Sequence, residues 1–182
     1  MRIDRRSVLR GSFWGALGLG ALGGGVAMVR FLYPVGLENE GSVLVHAADV
    51  PEPGGEPYTH KPSGFHLVHL QADDVSDPND DGFGAGGLLA LSWKCTHLGC
   101  AAPWNADGAY PDGSERVGIF DCPCHGSKFS VAGVLLNGPA PRSLDVLRVE
   151  VTASGNVIVR THDKAPGTID NARRAVPWTR PS

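Results

Sequence analysis

The sequence predicts an all-β domain, made of antiparallel sheets, anchored by one N-terminal transmembrane α-helix. Three observations carry this. An uncharged, nearly all-apolar run fills Gly11 to Val29. Beyond residue 41, short segments show period-two patterning and no long amphipathic helical stretch. The 182 residues include 25 glycines and 14 prolines, which suits a loop-rich β domain, and the length suffices for a proper core. The formal net charge of −3 argues for no polyanionic partner, and no nucleic acid is expected.

The elements follow in chain order. Residues 1–10 carry Arg2, Arg5, Arg6 and Arg10 with one acid. The 19 uncharged residues from Gly11 to Val29 reach about 28 Å as a helix, enough to cross a bilayer core. Arg30 can snorkel at the far end, and Phe31 and Tyr33 suit an interface, so residues 11–33 read as a membrane-spanning anchor in contact with lipid. The arginines before it predict a cytoplasmic N-terminus. Asp4-Arg5-Arg6-Ser7-Val8-Leu9-Arg10 resembles a twin-arginine export signal, a route that hands over folded proteins; the alternative is an ordinary anchor with basic flanks. No small-x-small cleavage site follows closely, so the segment is expected to stay. Gly11/Gly15 and Gly20/Gly24 have the spacing of close helix contacts, or reflect the glycine-rich cores of export signals.

Pro34 to Gly41 reads as a short tether. Strands are expected at Ser42–His46, Phe65–Gln71, Leu88–Trp93, Val117–Asp121, Ser143–Thr152 and Asn156–Thr161, with a hairpin turn at Ser154-Gly155-Asn156. Pro51–Pro62 reads as a Pro/Gly loop. Asp73–Gly82 is an acidic loop whose Asp77-x-Asn79-x-Asp81-Gly82 starts like a calcium loop. The match fails at the twelfth position, Leu88, and a solvated turn is the better reading. Residues 42–164 form the domain. The tail, 165–182, has no clear periodicity and is expected to wrap the surface or touch a partner subunit.

All four cysteines fall into two short boxes with two histidines: Cys95-Thr96-His97-Leu98-Gly99-Cys100 and Cys122-Pro123-Cys124-His125-Gly126-Ser127. Each follows a predicted strand, so two loops at strand ends can clamp a metal centre between them. Two thiolates and two imidazoles are what a Rieske 2Fe–2S centre needs, since two histidines replace two cysteines on one iron. The same donors could hold a tetrahedral zinc, although zinc fingers order their ligands differently. All four cysteines could instead be structural disulfides, which leaves the paired histidines unexplained.

With Gly138-Pro139-Ala140-Pro141, these boxes resemble the Rieske iron–sulfur subunit of cytochrome bc-type quinol oxidoreductases, and the anchor and β-rich order extend the likeness over most of the chain. The resemblance implies one 2Fe–2S cluster. It makes Cys95 and Cys122 ligands of the inner iron and His97 and His125 ligands of the exposed one. It pairs Cys100 with Cys124 in a disulfide, which suits an oxidising compartment. It makes Gly138 and Pro139 part of a loop covering the cluster. It also makes Ser127 a hydrogen-bond donor to a bridging sulfide, and it places Leu98 beside an exposed imidazole, where packing is the alternative role. High-potential members carry Tyr where this chain has Phe129. A lower potential is therefore expected, compatible with a quinol such as menaquinol.

The resemblance further implies that quinol meets His125, with His97 near it. One electron enters the cluster, and a ligand imidazole takes a proton. The second electron goes to a cytochrome b subunit, and a c-type cytochrome or plastocyanin-like acceptor follows, in a dimeric respiratory or photosynthetic complex. The domain would lie outside a bacterial cytoplasmic membrane, swinging on Pro34–Gly41. The small Rieske subunit of a molybdenum oxidase such as arsenite oxidase is the competing reading. A ferredoxin feeding a dioxygenase would lack the spare cysteines and the anchor.

Overall fold

A computed structural model of the protein describes residues 4–32, 41–71 and 86–181. The expected tether (bar Gly41) and the Asp77–Gly82 turn lie outside these residues. The chain divides into two units, one ending at Asn39 and one beginning at Glu40.

The described residues of the first unit form one helix, α1 (Arg5–Leu32). It is the one helix among the described residues long and apolar enough to cross a membrane. The helix starts ahead of the span expected from residue 11, because Arg5, Arg6 and Arg10 are themselves helical. Asp4 opens it, with its carbonyl accepting from the Ser7 and Val8 amides. Arginine is a good helix former, so the charged prefix extends the helix without lengthening its apolar stretch.

Among the described residues the second unit has ten strands: β1 (Ser42–Val45), β2 (Tyr58–His60), β3 (Phe65–Leu70), β4 (Gly87–Ser92), β5 (Trp104–Ala109), β6 (Val117–Asp121), β7 (Lys128–Phe129), β8 (Leu135–Asn137), β9 (Val146–Val151) and β10 (Val157–Ala165). They form a six-stranded antiparallel sheet in the order β1-β10-β9-β4-β3-β2 and a four-stranded one in the order β5-β6-β7-β8. Four strands were not expected. β2 lies inside the segment read as a Pro/Gly loop, and β5, β7 and β8 are short or largely polar. The stretch read as one strand from Ser143 begins pairing only at Val146.

Strands β3 and β4 are buried along their whole length, which explains their near-continuous apolar sequences. Alternation sends Phe65, Leu67, Leu88 and Ala90 to one core, with Val45, Val157, Val159 and Trp178. It sends Val68, Leu70, Leu89 and Leu91 to a second core, with Phe120, Phe129, Val134 and Leu144. The second core also holds Cys95 and Cys122.

Register fixes where the boxes emerge. Trp104 faces Phe120, Asp121 faces Lys128, and Lys128 faces Asn137. The start of β5, the β6–β7 connection and the end of β8 therefore share one end of the four-stranded sheet. Box one leads into that end, box two turns there, and the Gly138–Pro141 segment leaves from it.

Candidate metal centre

The two boxes share one backbone frame. In the first, the Cys95 amide donates to the Cys100 carbonyl (2.8 Å) and the Gly99 amide to the Cys95 carbonyl (2.9 Å). In the second, the Cys122 amide donates to the Ser127 carbonyl (2.9 Å) and the Gly126 amide to the Cys122 carbonyl (3.0 Å). Gly99 and Gly126 close these turns at φ +82° and +75°. A side chain at either would have open space, so the requirement is conformational: only glycine takes that backbone cheaply.

Within this frame the boxes differ in what they present. The leading cysteines, Cys95 and Cys122, are buried and free. Cys100 and Cys124 are joined, with 2.05 Å between sulfurs and 6.6 Å between Cα atoms, so the two loops are tied covalently. The bridge overturns the reading in which all four cysteines are oxidised. Cys122 Sγ lies within 4.8 Å of both bridge sulfurs. Those two sulfurs have no thiolate to offer a metal, which leaves Cys95 and Cys122 as the sulfur donors.

The histidines stand at the wetter rim. His97 and His125 have ring centroids 4.8 Å apart and planes at 88°. His125 is exposed and His97 half-buried. His97 Nδ1 is buried with no hydrogen-bond partner. An orphaned imidazole nitrogen facing away from water is costly unless something coordinates it. Burial pushes the Cys122 thiol above its ordinary range, and the adjacent Cys95 thiol adds to this; the Cys124 and His125 amides donate toward its sulfur and act the other way. Two sulfurs on the dry side, two imidazoles on the wet side and amides aimed at sulfur fit an iron–sulfur cluster with mixed ligands.

A third segment closes over the boxes. The Ala140 amide donates to Ser127 Oγ (3.1 Å), and Ser127 is fully buried. Having accepted that bond, the hydroxyl keeps its own proton to donate. Thr96 Oγ1 donates to the Arg142 carbonyl (2.5 Å). One hydroxyl from each box thus holds the covering segment. Gly138 has φ +109°, and a Cβ there would collide with the Ser127 backbone. Gly138 and Pro139 themselves are exposed. Thr96 escaped the sequence reading, although a hydroxyl in each box was the signal that would have found it.

Leu98 is 71% exposed beside His97, so packing is not its role. Phe129 is fully buried on β7, opposite Phe120 and Leu135.

The disulfide spans 24 positions of chain. Closing a loop of that size removes unfolded-state entropy worth about 3 kcal/mol. Cys124→Ala is expected to lower the unfolding free energy by about that amount, read as a lower urea midpoint, with a slope that rises because the unbridged unfolded chain exposes more surface. A midpoint equal to wild type would show that the bridge adds nothing to stability.

The sequence profile of the Rieske [2Fe-2S] domain matches residues 42–164. The cytochrome b6-f complex iron-sulfur subunit of Synechococcus sp. strain JA-2-3B'a(2-13) is 32% identical over 153 residues, covering 82% of this chain and 83% of that one. The same subunit from strain JA-3-3Ab is 35% identical over 138 residues, covering 70% and 74%. Among solved structures, a cyanobacterial plasma membrane Rieske protein from Synechocystis PCC 6803 is 27% identical with a TM-score of 0.34, covering 68% of this chain and 89% of that one. With the cysteine and histidine donors converging at one sheet end, the chain belongs to the Rieske family and carries one 2Fe–2S cluster.

Proposed function

We propose that this chain takes one electron and a proton from a membrane quinol and passes the electron to a c-type cytochrome or similar acceptor, within a dimeric complex built around cytochrome b. Cys95 and Cys122 would hold one iron of the cluster through their thiolates, and His97 and His125 would hold the other through their imidazoles. The observation that carries this reading is the pair of imidazoles at the rim, His125 exposed and Leu98 turned to solvent beside His97. The named relatives, subunits of cytochrome b6-f complexes, support the partner.

When bound, the cluster supplies a one-electron acceptor whose oxidation state changes the acidity of its imidazole ligands. His125 meets the quinol oxygen and takes its proton on the ring nitrogen not committed to iron. Leu98 gives the quinol ring an apolar surface. Ser127 and Ala140 keep water from the sulfur side, so charge there is felt strongly. The N-terminus stays cytoplasmic and the domain lies outside the membrane, where the Cys100–Cys124 bridge persists.

Purifying the anchored chain with its partners tests the assembly. A cytochrome b subunit is expected, and a molybdopterin subunit in its place would overturn the reading.

Phe129 sets the expected potential. It lies in the same dry core as Cys95 and Cys122 but offers no hydroxyl. On the family resemblance, Phe129→Tyr adds a donor to ligand sulfur, and such a bond favours the electron-rich reduced state. One such bond contributes about 1 kcal/mol, so the midpoint potential should rise by roughly 40 mV. A redox titration followed by electron paramagnetic resonance reads this directly. A wild-type potential as high as that of ubiquinol-oxidising relatives, or no rise in the variant, would refute the assignment.

A further inference from the structure

Residues 166–181 lie beyond the matched Rieske domain, yet they grip the loop that covers the cluster site. β10 ends at Ala165, and the chain then runs against the stem of that loop. It passes so closely that a Cβ at Gly167 would collide with the Ser143 and Leu144 carbonyl oxygens. Asn171 follows, fully buried. Its Nδ2 donates to the Ala132 carbonyl (3.2 Å) and to the Leu144 carbonyl (3.0 Å). Its Oδ1 accepts from the Thr168 amide (2.9 Å). Both amide protons and the oxygen are therefore engaged.

The two carbonyls are not neighbours in sequence. Ala132 precedes the covering loop and Leu144 follows it, so one side-chain amide bridges both stems. The Leu144 amide to the Gly133 carbonyl (2.8 Å) and the Leu135 amide to Ser143 Oγ (3.1 Å) complete this neck. At its other end the same loop is held by Ser127 and Thr96 of the cluster boxes. Hydrogen bonds thus pin the loop at both ends, at the neck by Asn171 and at the boxes by Ser127 and Thr96. The neck lies among Leu144, Ala132, Ala172 and Val134. An apolar side chain would fill such a place without needing partners, so the amide contributes directed geometry.

The far half of the tail is anchored independently. Val176 exchanges two 2.8 Å backbone bonds with Leu88, alongside β4. Trp178 Nε1 donates to the Gly155 carbonyl (2.8 Å), and Arg180 pairs with Glu52 and the Val50 carbonyl. These contacts bear on the six-stranded sheet and on the other core.

We propose that the C-terminal tail is a strap and that Asn171 is a positioning residue for the cluster, acting through the neck of the covering loop. This rests on reading the boxes as cluster loops. The test uses the full-length, cluster-loaded protein. Asn171→Ala should lose iron to a chelator faster by on the order of tenfold, shift the midpoint potential, and speed hydrogen exchange of the 138–142 amides. Gly167→Ala, which pushes the strap from the same stem without removing a polar group, should move all three readouts in the same direction. Trp178→Ala should lower the melting temperature more than either while leaving the three unchanged. Wild-type values in Asn171→Ala and Gly167→Ala overturn the proposal, as does a Trp178→Ala variant that matches them. If Asn171→Ala does not fold, Gly167→Ala decides alone. If the wild type itself holds no 2Fe–2S cluster, the reading of the boxes fails, and exchange of the loop amides still decides the strap.

Discussion

Cys122→Ser is expected to abolish the cluster while leaving a folded chain. A serine hydroxyl at that position is a poor substitute for the thiolate that iron requires, and no other free sulfur is within the site except Cys95. Visible absorption and the reduced-state paramagnetic signal should fall to background, and iron per chain to near zero. The loop itself should survive, because the Cys122 amide still donates to Ser127 and the Cys100–Cys124 bridge still ties the boxes. Burying an unpaired hydroxyl in this core costs about 1–3 kcal/mol, so the far-ultraviolet circular dichroism should be native with a modestly lower melting temperature. Cys124→Ala gives the contrasting result: four donors remain but the covalent tie is gone, so stability falls first and cluster loss follows from it. Full iron content in Cys122→Ser would remove that residue from the ligand set.

What could be read from sequence follows the physics of each part. The boxes stood out because thiolate and imidazole donors are chemically rare and were clustered. Which cysteines pair was not legible from spacing, since four cysteines permit three pairings. The resemblance supplied the Cys100–Cys124 choice, and the shared frame of the two turns now accounts for it geometrically. Central strands β3 and β4 were legible because burial on both faces makes their sequences mostly apolar, with His66, His69 and Ser92 the buried polar exceptions. β5, Trp-Asn-Ala-Asp-Gly-Ala, buries only Gly108 fully, and β7 is two residues long. Such strands exist because β6 and β8 pair with them, and that information is not local. The tail was unreadable for a related reason. Its order comes from Asn171, Trp178 and Arg180 reaching distant carbonyls, which leaves no period in the sequence.

Acid should loosen the seam between the two sheets, and His66 is where the effect is largest. It lies on β3, fully buried on the core face that meets Phe120, whose ring is 4.7 Å away. Nε2 bonds the Ala102 carbonyl (3.1 Å) and Nδ1 meets Thr59 Oγ1 (2.9 Å), which assigns the Nε2–H neutral tautomer with the threonine hydroxyl donating to Nδ1. Burial pushes its pKa down from 6.5 to about 4, against a smaller opposite pull from the Ala102 carbonyl. A depressed histidine binds its proton more readily when the chain is unfolded. Its destabilising effect is therefore absent above pH 6.5, grows as pH falls toward 4, and levels off below. Across that window the unfolding free energy should drop by about 3 kcal/mol on this account. Asp112 also titrates low, to about 2, but it is exposed and acts below the histidine's window. Urea midpoints at pH 7 and pH 4 for the wild type and His66→Gln separate the term. The wild type should lose about 3 kcal/mol more than the variant, and equal losses would place the acid sensitivity elsewhere. The added proton goes to Nδ1, so the Nε2–H bond to Ala102 persists; the cost is a buried charge and the acceptor lost to the Thr59 hydroxyl, and it falls beside the core that holds Cys95 and Cys122. Cluster bleaching on acidification should track the stability loss of the wild type and be delayed to lower pH in His66→Gln.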